Sequence, residues 1–154
     1  MPPATFYYEG EAVADELATG QNAIFESGTR FLIFAASVGF AKDRWVTDPA
    51  EENEVRWSYI DQNQRLSVIT AALTYAHTND PESILDPERQ IEVLQGYAGG
   101  GSRVLQSRVV DEPGDNLDNL ISFLQDHRDT DESTERAGVL EEIEAEVSSI
   151  RSNE

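Results

Sequence analysis

Cysteine is absent from this 154-residue chain, and lysine occurs only once. Without cysteine, disulfides, thiolate zinc sites and cysteine nucleophiles are excluded. The longest apolar run, Phe31 to Ala41 with Ser37 inside it, is too short for a membrane span of about 20 residues, so it predicts a buried helix. The first residues, Met1-Pro2-Pro3-Ala4, have neither the basic nor the apolar region of a secretory signal, and we expect none.

Carboxylates dominate the charge of the chain. Asp and Glu number 30 against 11 Lys plus Arg, the formal net charge is -19, and Lys42 is the single lysine. In molar salt the Debye length is about 3 Å, so such carboxylates repel one another little while they hold water and hydrated cations. This composition is typical of a cytoplasmic protein from a halophile. The alternative is an acidic protein from an ordinary cell, such as a nucleic-acid mimic.

The spacing of apolar residues predicts the fold class. It favours a mainly α, compact, single-domain helical bundle, with room for a short strand or hairpin near residues 45–60. Phe31, Phe34, Ala35 and Val38 mark one face of a central helix. The three consecutive glycines at 99–101 favour a break between two helices. The predicted helices run from about Ile24 to Phe40, from Gln62 to His77, from Asp86-Pro87-Glu88 to the glycines, from Ser102 to Val110, and from Asp115 through Leu124.

Changes in polarity along the chain predict four segments. Residues 1–22 form an acidic N-terminal segment, partly ordered, whose aromatic residues Phe6, Tyr7 and Tyr8 either dock on the domain or bind a partner. Residues 23–125 form the helical core domain, and residues 126–133 form a charged linker. Residues 134–154 form a C-terminal amphipathic helix that is too short to be stable alone. Its apolar stripe is a candidate partner-binding surface made of Val139, Leu140, Ile143, Val147 and Ile150.

No pattern of residues indicates an enzyme, a cofactor or a metal site. The glycine-rich stretch from Gly96 to Arg103 lacks the Gly-Lys-Ser/Thr of a P-loop and the preceding strand of a dinucleotide site. His77 and His127 fall at predicted helix ends, where the helix dipole favours cations. The spacing of Asp126, Asp129 and Asp131 lacks the glycine and the distal glutamate of a calcium loop. We therefore expect no catalytic residue and no cofactor.

Four residues are candidate contacts to DNA or phosphate. Arg56 precedes Trp57, and Arg103 and Arg108 lie five residues apart on one segment. Arginine beside an aromatic ring can grip a phosphate backbone or a partner's carboxylate. The alternative is that these arginines pair with the many carboxylates nearby.

A series of short blocks resembles a known family. In order along the chain, the blocks are Phe31-Leu32-Ile33-Phe34-Ala35-Ala36-Ser37-Val38-Gly39-Phe40, Val55-Arg56-Trp57-Ser58-Tyr59-Ile60, the apolar helix from Ile69 to Tyr75, the segment from Ile91 to Leu105, and Leu117 to Leu124. They are similar to those of DNA phosphorothioation-associated protein 4, a small protein of the Dnd systems that put sulfur into the DNA backbone. The chain departs from the family pattern at Ala98-Gly99-Gly100-Gly101, where an alanine-asparagine-alanine-glycine run is expected.

The resemblance implies a context of DNA modification, restriction and antiviral defence, without a catalytic motif to carry over. We expect a non-catalytic accessory or adaptor subunit whose partners are other proteins of such a system. The expected contact with DNA is indirect or weak, no membrane is involved, and self-association is left open. The alternatives are a direct DNA-binding or sensing module of the system and an acidic nucleic-acid-mimic inhibitor.

The surplus of carboxylates leads to a prediction about salt. We expect the helical fold to melt at a higher temperature in molar potassium chloride than in dilute buffer, because salt screens the mutual repulsion of the carboxylates. Thermal melts followed by circular dichroism across this range of salt measure the effect. A melting temperature that does not change with salt would contradict the halophilic interpretation.

Overall fold

The mainly helical architecture predicted from the sequence is confirmed. The computed structural model describes residues 2–131, with side chains described to Arg128. The chain divides after Pro113 into two compact units. None of the helices in the described range is both long and apolar enough to cross a membrane.

The first unit contains two strands and five α-helices in its described part. In chain order its elements are β1 (Thr5–Tyr8), α1 (Glu11–Ala14, widening into a π-helical turn over Asp15–Thr19), α2 (Gly28–Ala41), β2 (Asn53–Arg56), α3 (Trp57–Asp61), α4 (Gln64–Thr78), a 3-10 helix (Pro81–Leu85) and α5 (Pro87–Leu105, followed by a π-helical turn over Gln106–Val110). The second unit contains α6 (Asn116–Asp131).

Side-chain caps begin the three long helices of the first unit. The Asp86 carboxylate accepts from the backbone N–H of Glu88 at 3.1 Å, and Pro87 occupies the first turn of α5, as the sequence predicts. The Ser27 hydroxyl caps α2, and the Asn63 side chain caps α4. These caps satisfy backbone donors that have no partner inside the helix.

The predicted strand near residues 45–60 is present, but its partner comes from the N-terminal segment. β2 pairs antiparallel with β1, and Phe6 lies opposite Val55. Phe6 and Tyr8 are buried while Tyr7 is exposed, so the first and third aromatic residues dock on the domain. The Tyr8 hydroxyl donates to the carbonyl oxygen of Gly28 at 2.9 Å, which ties the strand to the start of α2.

The predicted break at residues 99–101 is wrong, because α5 continues through all three glycines to Leu105. These glycines allow close packing. A Cβ atom at Gly101 would overlap the carbonyl oxygen of Ala35, and one at Gly39 would overlap the carbonyl oxygen of Tyr97. The backbones of α2 and α5 therefore touch where these two glycines face each other. Tertiary packing here overrides the low helix propensity of glycine.

The described part of the second unit is α6. Of the stripe predicted for this helix, Leu120 is buried, whereas Leu117, Ile121 and Leu124 are exposed. Phe123 is the other buried apolar residue of α6. The helix continues to Asp131 and so includes the first residues of the segment that the sequence assigns to a charged linker. The predicted tail helix over residues 134–154 lies outside the described residues.

Candidate functional site

A short loop after α2 is held in place by backbone hydrogen bonds. The N–H of Arg44 donates to the carbonyl oxygen of Gly39 at 2.8 Å, and the N–H of Val46 donates to the carbonyl oxygen of Gly96 at 3.0 Å. Asp43 adopts the left-handed conformation with φ 54°, which turns the chain back onto α5. The loop is thus bonded both to the helix it leaves and to the helix it crosses.

Trp45 fixes the same loop through an aromatic cluster. Its ring stacks on His77 with centroids 4.5 Å apart, and it meets Tyr97 edge-on at 4.9 Å. The Tyr97 hydroxyl and His77 Nδ1 are 2.7 Å apart and share a hydrogen bond. Burial and the nearby Asp43 raise the pKa of Tyr97 above its ordinary value. Only a glycine fits at position 96, because the Trp45 ring occupies the place of its Cβ atom.

Four cations line one groove beside this loop, which we call the basic groove. Its volume is about 590 Å³, and its cations are Lys42 and Arg44 from the loop and Arg103 and Arg108 from α5 and the turn after it. Asp43 is the single carboxylate among the lining residues of this groove. Cations therefore outnumber carboxylates among the lining residues of this groove, which is the opposite of the chain as a whole.

A carboxylate from the N-terminal segment orients Arg103. Arg103 Nε donates to Glu9 Oε2 at 2.8 Å, and its Nη2 donates to Glu9 Oε1 at 3.1 Å. The same carboxylate accepts from the backbone N–H of Ala50 at 3.2 Å. The hydrogen bond from Arg103 holds the pKa of Glu9 below its ordinary value. The Ser102 hydroxyl also donates to the Glu9 carbonyl oxygen at 3.1 Å. Two neighbouring side chains of α5 therefore bond to Glu9 of the N-terminal segment.

The four predicted contact residues are not brought together. Arg103 and Arg108 line the basic groove, but Trp57 is only 8% exposed and its ring is not presented to solvent beside Arg56. Arg56 lines a second groove of about 530 Å³ together with Arg30. That groove lies at the N-terminal end of α2 and the basic groove at its C-terminal end, about 20 Å away at 1.5 Å per residue.

The outer face of α4 presents an apolar surface. Val68 is 60% exposed, and a groove of about 390 Å³, here called the apolar groove, lies on the same part of the fold. α4 contains no Asp or Glu, although the chain as a whole has 30. The residues lining the apolar groove are Ala71, Ala72, Tyr75, Pro81 and Ile84.

Sequence reasoning missed Lys42 and Arg44 as site residues. The signal for them was present, because Lys42 is the single lysine and it follows a glycine-containing helix end. What the sequence does not show is that a helix with three consecutive glycines lets this loop pack on it. The predicted partner-binding stripe Val139, Leu140, Ile143, Val147 and Ile150 lies outside the described residues.

Comparison with known proteins finds one family. A family model described as DNA sulphur modification system-associated protein 4 matches residues 9–143. No curated protein matches the chain. No solved structure matches it either.

The bond between Glu9 and Arg103 leads to a prediction about pH. Because the Glu9 pKa is lowered in the folded protein, this carboxylate stabilises the fold above its unfolded pKa, and the stabilisation is lost as the pH falls through the folded pKa. Glu9→Gln should therefore lower the free energy of unfolding by about 0.5–1 kcal/mol near pH 7, a small effect because the Arg103 side chain is 65% exposed. The difference should be smaller at about pH 3 than at pH 7, because protonation of Glu9 weakens its bond to Arg103 as the pH falls. Urea unfolding at both pH values measures it.

The matched control is Glu51→Gln, which removes the same charge from an exposed residue. It separates the loss of the specific bond from the general relief of repulsion between carboxylates. The free energy of unfolding of Glu9→Gln should lie below that of Glu51→Gln by more at pH 7 than at about pH 3. An equal difference at both pH values would contradict this account.

Proposed function

Because this chain belongs to the DNA sulphur modification system-associated protein 4 family, we propose that it serves such a system as a non-catalytic accessory subunit. Its action is to contact other proteins of the system. The family description supports the association with DNA sulphur modification, and the surface of the fold supports the mode of action.

The observation that carries this proposal is the exposed apolar face of α4. Val68 and Tyr75 point outward from a helix without carboxylates, on a chain whose net charge is -19. Leu85 of the neighbouring 3-10 helix is 83% exposed. Exposed apolar surface that interrupts a strongly charged surface marks a contact site for another macromolecule.

The charge of the chain specifies the chemistry of the partner. An acidic surface attracts a partner with basic residues around its contact patch, and it repels acidic proteins. Asp80 and Glu82 begin the 3-10 helix that forms one side of the apolar groove. The partner surface that fits is therefore an apolar stripe flanked by lysine or arginine.

The tail supplies a second contact in this proposal. The stripe of Val139, Leu140, Ile143, Val147 and Ile150 repeats at threes and fours, which is the pattern of an amphipathic helix that binds another helix or a groove. This contact follows from the sequence pattern alone. It predicts that the tail and the α4 surface contribute separately to partner binding.

The proposal is tested by co-expressing the chain with the proteins of a DNA sulphur modification system and identifying those it captures in molar potassium chloride. Val68→Asp places a carboxylate on the apolar face, and Ile143→Asp with Val147→Asp does the same on the tail. Each change should lower the captured amount of a system protein about tenfold, because a charge buried in an interface without a partner is costly. Thermal melts of the described fold should change little, because Val68 is exposed.

Ser58→Asp is the matched control, since it adds the same charge to an exposed residue of α3 and leaves the apolar face of α4 unchanged. It should leave capture unchanged. The proposal fails if no protein of the system is captured, or if Ser58→Asp reduces capture as much as Val68→Asp does.

A further inference from the structure

The exposed face of α4 has both a protruding side chain and a groove. Val68, Ala72 and Tyr75 follow the i, i+4, i+7 spacing, so they lie on one side of the helix, and all three are exposed. The apolar groove lies between this stripe and the 3-10 helix, and its lining includes Pro81 and Ile84. A side chain and a groove that can receive it therefore occur on the same surface.

The order of these residues along α4 fits a two-fold axis through Ala72. In an antiparallel pair of α4 helices that cross at Ala72, Val68 of one copy faces Ala76 of the other, next to Tyr75. Val68 of each copy therefore comes opposite the apolar groove of the other. The small Ala72 side chains at the centre let the two helices approach closely. Such a contact uses the same surface patch twice, as two-fold dimers do.

The two ends of α4 have opposite charges. Arg65 lies exposed in the first turn, and Asp80 and Glu82 follow the end of the helix. None of these three side chains forms an ion pair with another described residue. Arg65 lies seven residues before Ala72, so in the antiparallel pair it comes level with Asn79 of the second copy, close to the two carboxylates. Opposite charges therefore meet at both ends of the pair.

We propose that two copies of this chain pair through antiparallel α4 helices, with Ala72 at the two-fold axis. α4 itself contains no carboxylate, so the pair joins a part of each surface where repulsion between two chains of charge -19 is small. The carboxylates around this face oppose the pair in dilute buffer. In molar salt the Debye length is about 3 Å, so their repulsion is screened and the pair becomes tighter.

The pair covers the same face that the proposed function assigns to a protein of the modification system, so the two contacts exclude each other. A system protein with basic residues around its apolar stripe attracts many carboxylates of the chain, whereas a second copy attracts them only through Arg65. Such a protein therefore replaces the second copy, and pairing keeps the apolar face covered until then. The pair itself does not depend on the proposed function, because it requires only this chain.

Disulfide formation between two copies tests the pair directly, because the chain has no cysteine of its own. Ala72→Cys in the purified full chain places two thiols at the two-fold axis, within the Cα separation of about 4.4–6.8 Å that a disulfide requires. We expect a covalent dimer under mild oxidation in molar potassium chloride, measured by non-reducing electrophoresis. The fold should be retained, because Ala72 is exposed.

Gln64→Cys is the matched control, because Gln64 is exposed on the same helix. It lies eight residues from Ala72, so its two copies in the antiparallel pair are about 24 Å apart. It should form the disulfide at least about tenfold more slowly than Ala72→Cys. Equal rates would overturn the inference in favour of random encounters. A chain with Ala72→Cys that stays monomeric would also overturn it, in favour of a face covered by another segment of the same molecule.

Sedimentation of chains without cysteine gives a second, independent measurement. In molar potassium chloride, Arg65→Glu should raise the dissociation constant of the dimer about fivefold, because two attractive contacts become repulsive. Adding Glu82→Arg should return it to within about twofold, and this change leaves the Asp80 cap of the 3-10 helix in place. Damage to the fold would not be repaired by a second charge reversal.

Arg56→Glu is the control for charge, since it makes the same change at an exposed residue of β2. It should change the dissociation constant by less than about twofold. The inference is overturned if the chain is monomeric at every salt concentration, or if Arg56→Glu weakens the dimer as much as Arg65→Glu does.

Discussion

The close contact between the backbones of α2 and α5 is the constraint on which the rest of the first unit depends. Gly39 and Gly101 face each other, and the place of each missing Cβ atom is filled by a carbonyl oxygen of the opposite helix. Helices packed through ordinary side chains have axes about 8–10 Å apart, and glycine allows an approach at the short end of that range or below it. At such distances Cα–H groups lie close enough to carbonyl oxygens to form weak hydrogen bonds. Ala35 and Ala36 of α2 and Ala98 of α5, which lie near these glycines along their helices, are fully buried.

The candidate sites follow from this contact. Because α2 ends against α5, the loop that leaves it must cross α5 at once, and Gly96 and Gly100 leave space for the Trp45 ring and the Arg44 backbone. This crossing brings Lys42 and Arg44 of the loop to the same groove as Arg103 and Arg108. The acidic surplus of the chain then surrounds two surfaces of different chemistry, the basic groove and the apolar groove of α4.

The sequence predicted the elements that are set by residues close together along the chain. It did not predict those set by contacts between distant parts of the fold. The start of α5 was readable because Asp86 and Pro87 act within one turn, and the central position of α2 because its apolar residues surround the helix. The predicted helix break at the three glycines was wrong. Helix propensity does not include the close packing of a neighbouring helix, which requires residues without a side chain. The pairing of β1 with β2 joins residues about fifty positions apart, and neither strand specifies its partner. Arg103 and Arg108 were found as candidates, but the loop cations were missed because their place depends on the contact between α2 and α5.

The measurement that tests this dependence most directly is the free energy of unfolding of Gly101→Ala compared with that of Gly99→Ala. Both changes place the same methyl group on α5 and raise helix propensity equally, by about 1 kcal/mol. At position 101 the added Cβ atom would overlap backbone of α2, whereas at position 99 it would meet the Val46 side chain at 3.2 Å, which can shift. We predict that Gly101→Ala lowers the free energy of unfolding by about 2–3 kcal/mol and that Gly99→Ala changes it by less than about 1 kcal/mol. Equal stabilities for the two variants would contradict the close contact between the helices and, with it, the assembly of the basic groove.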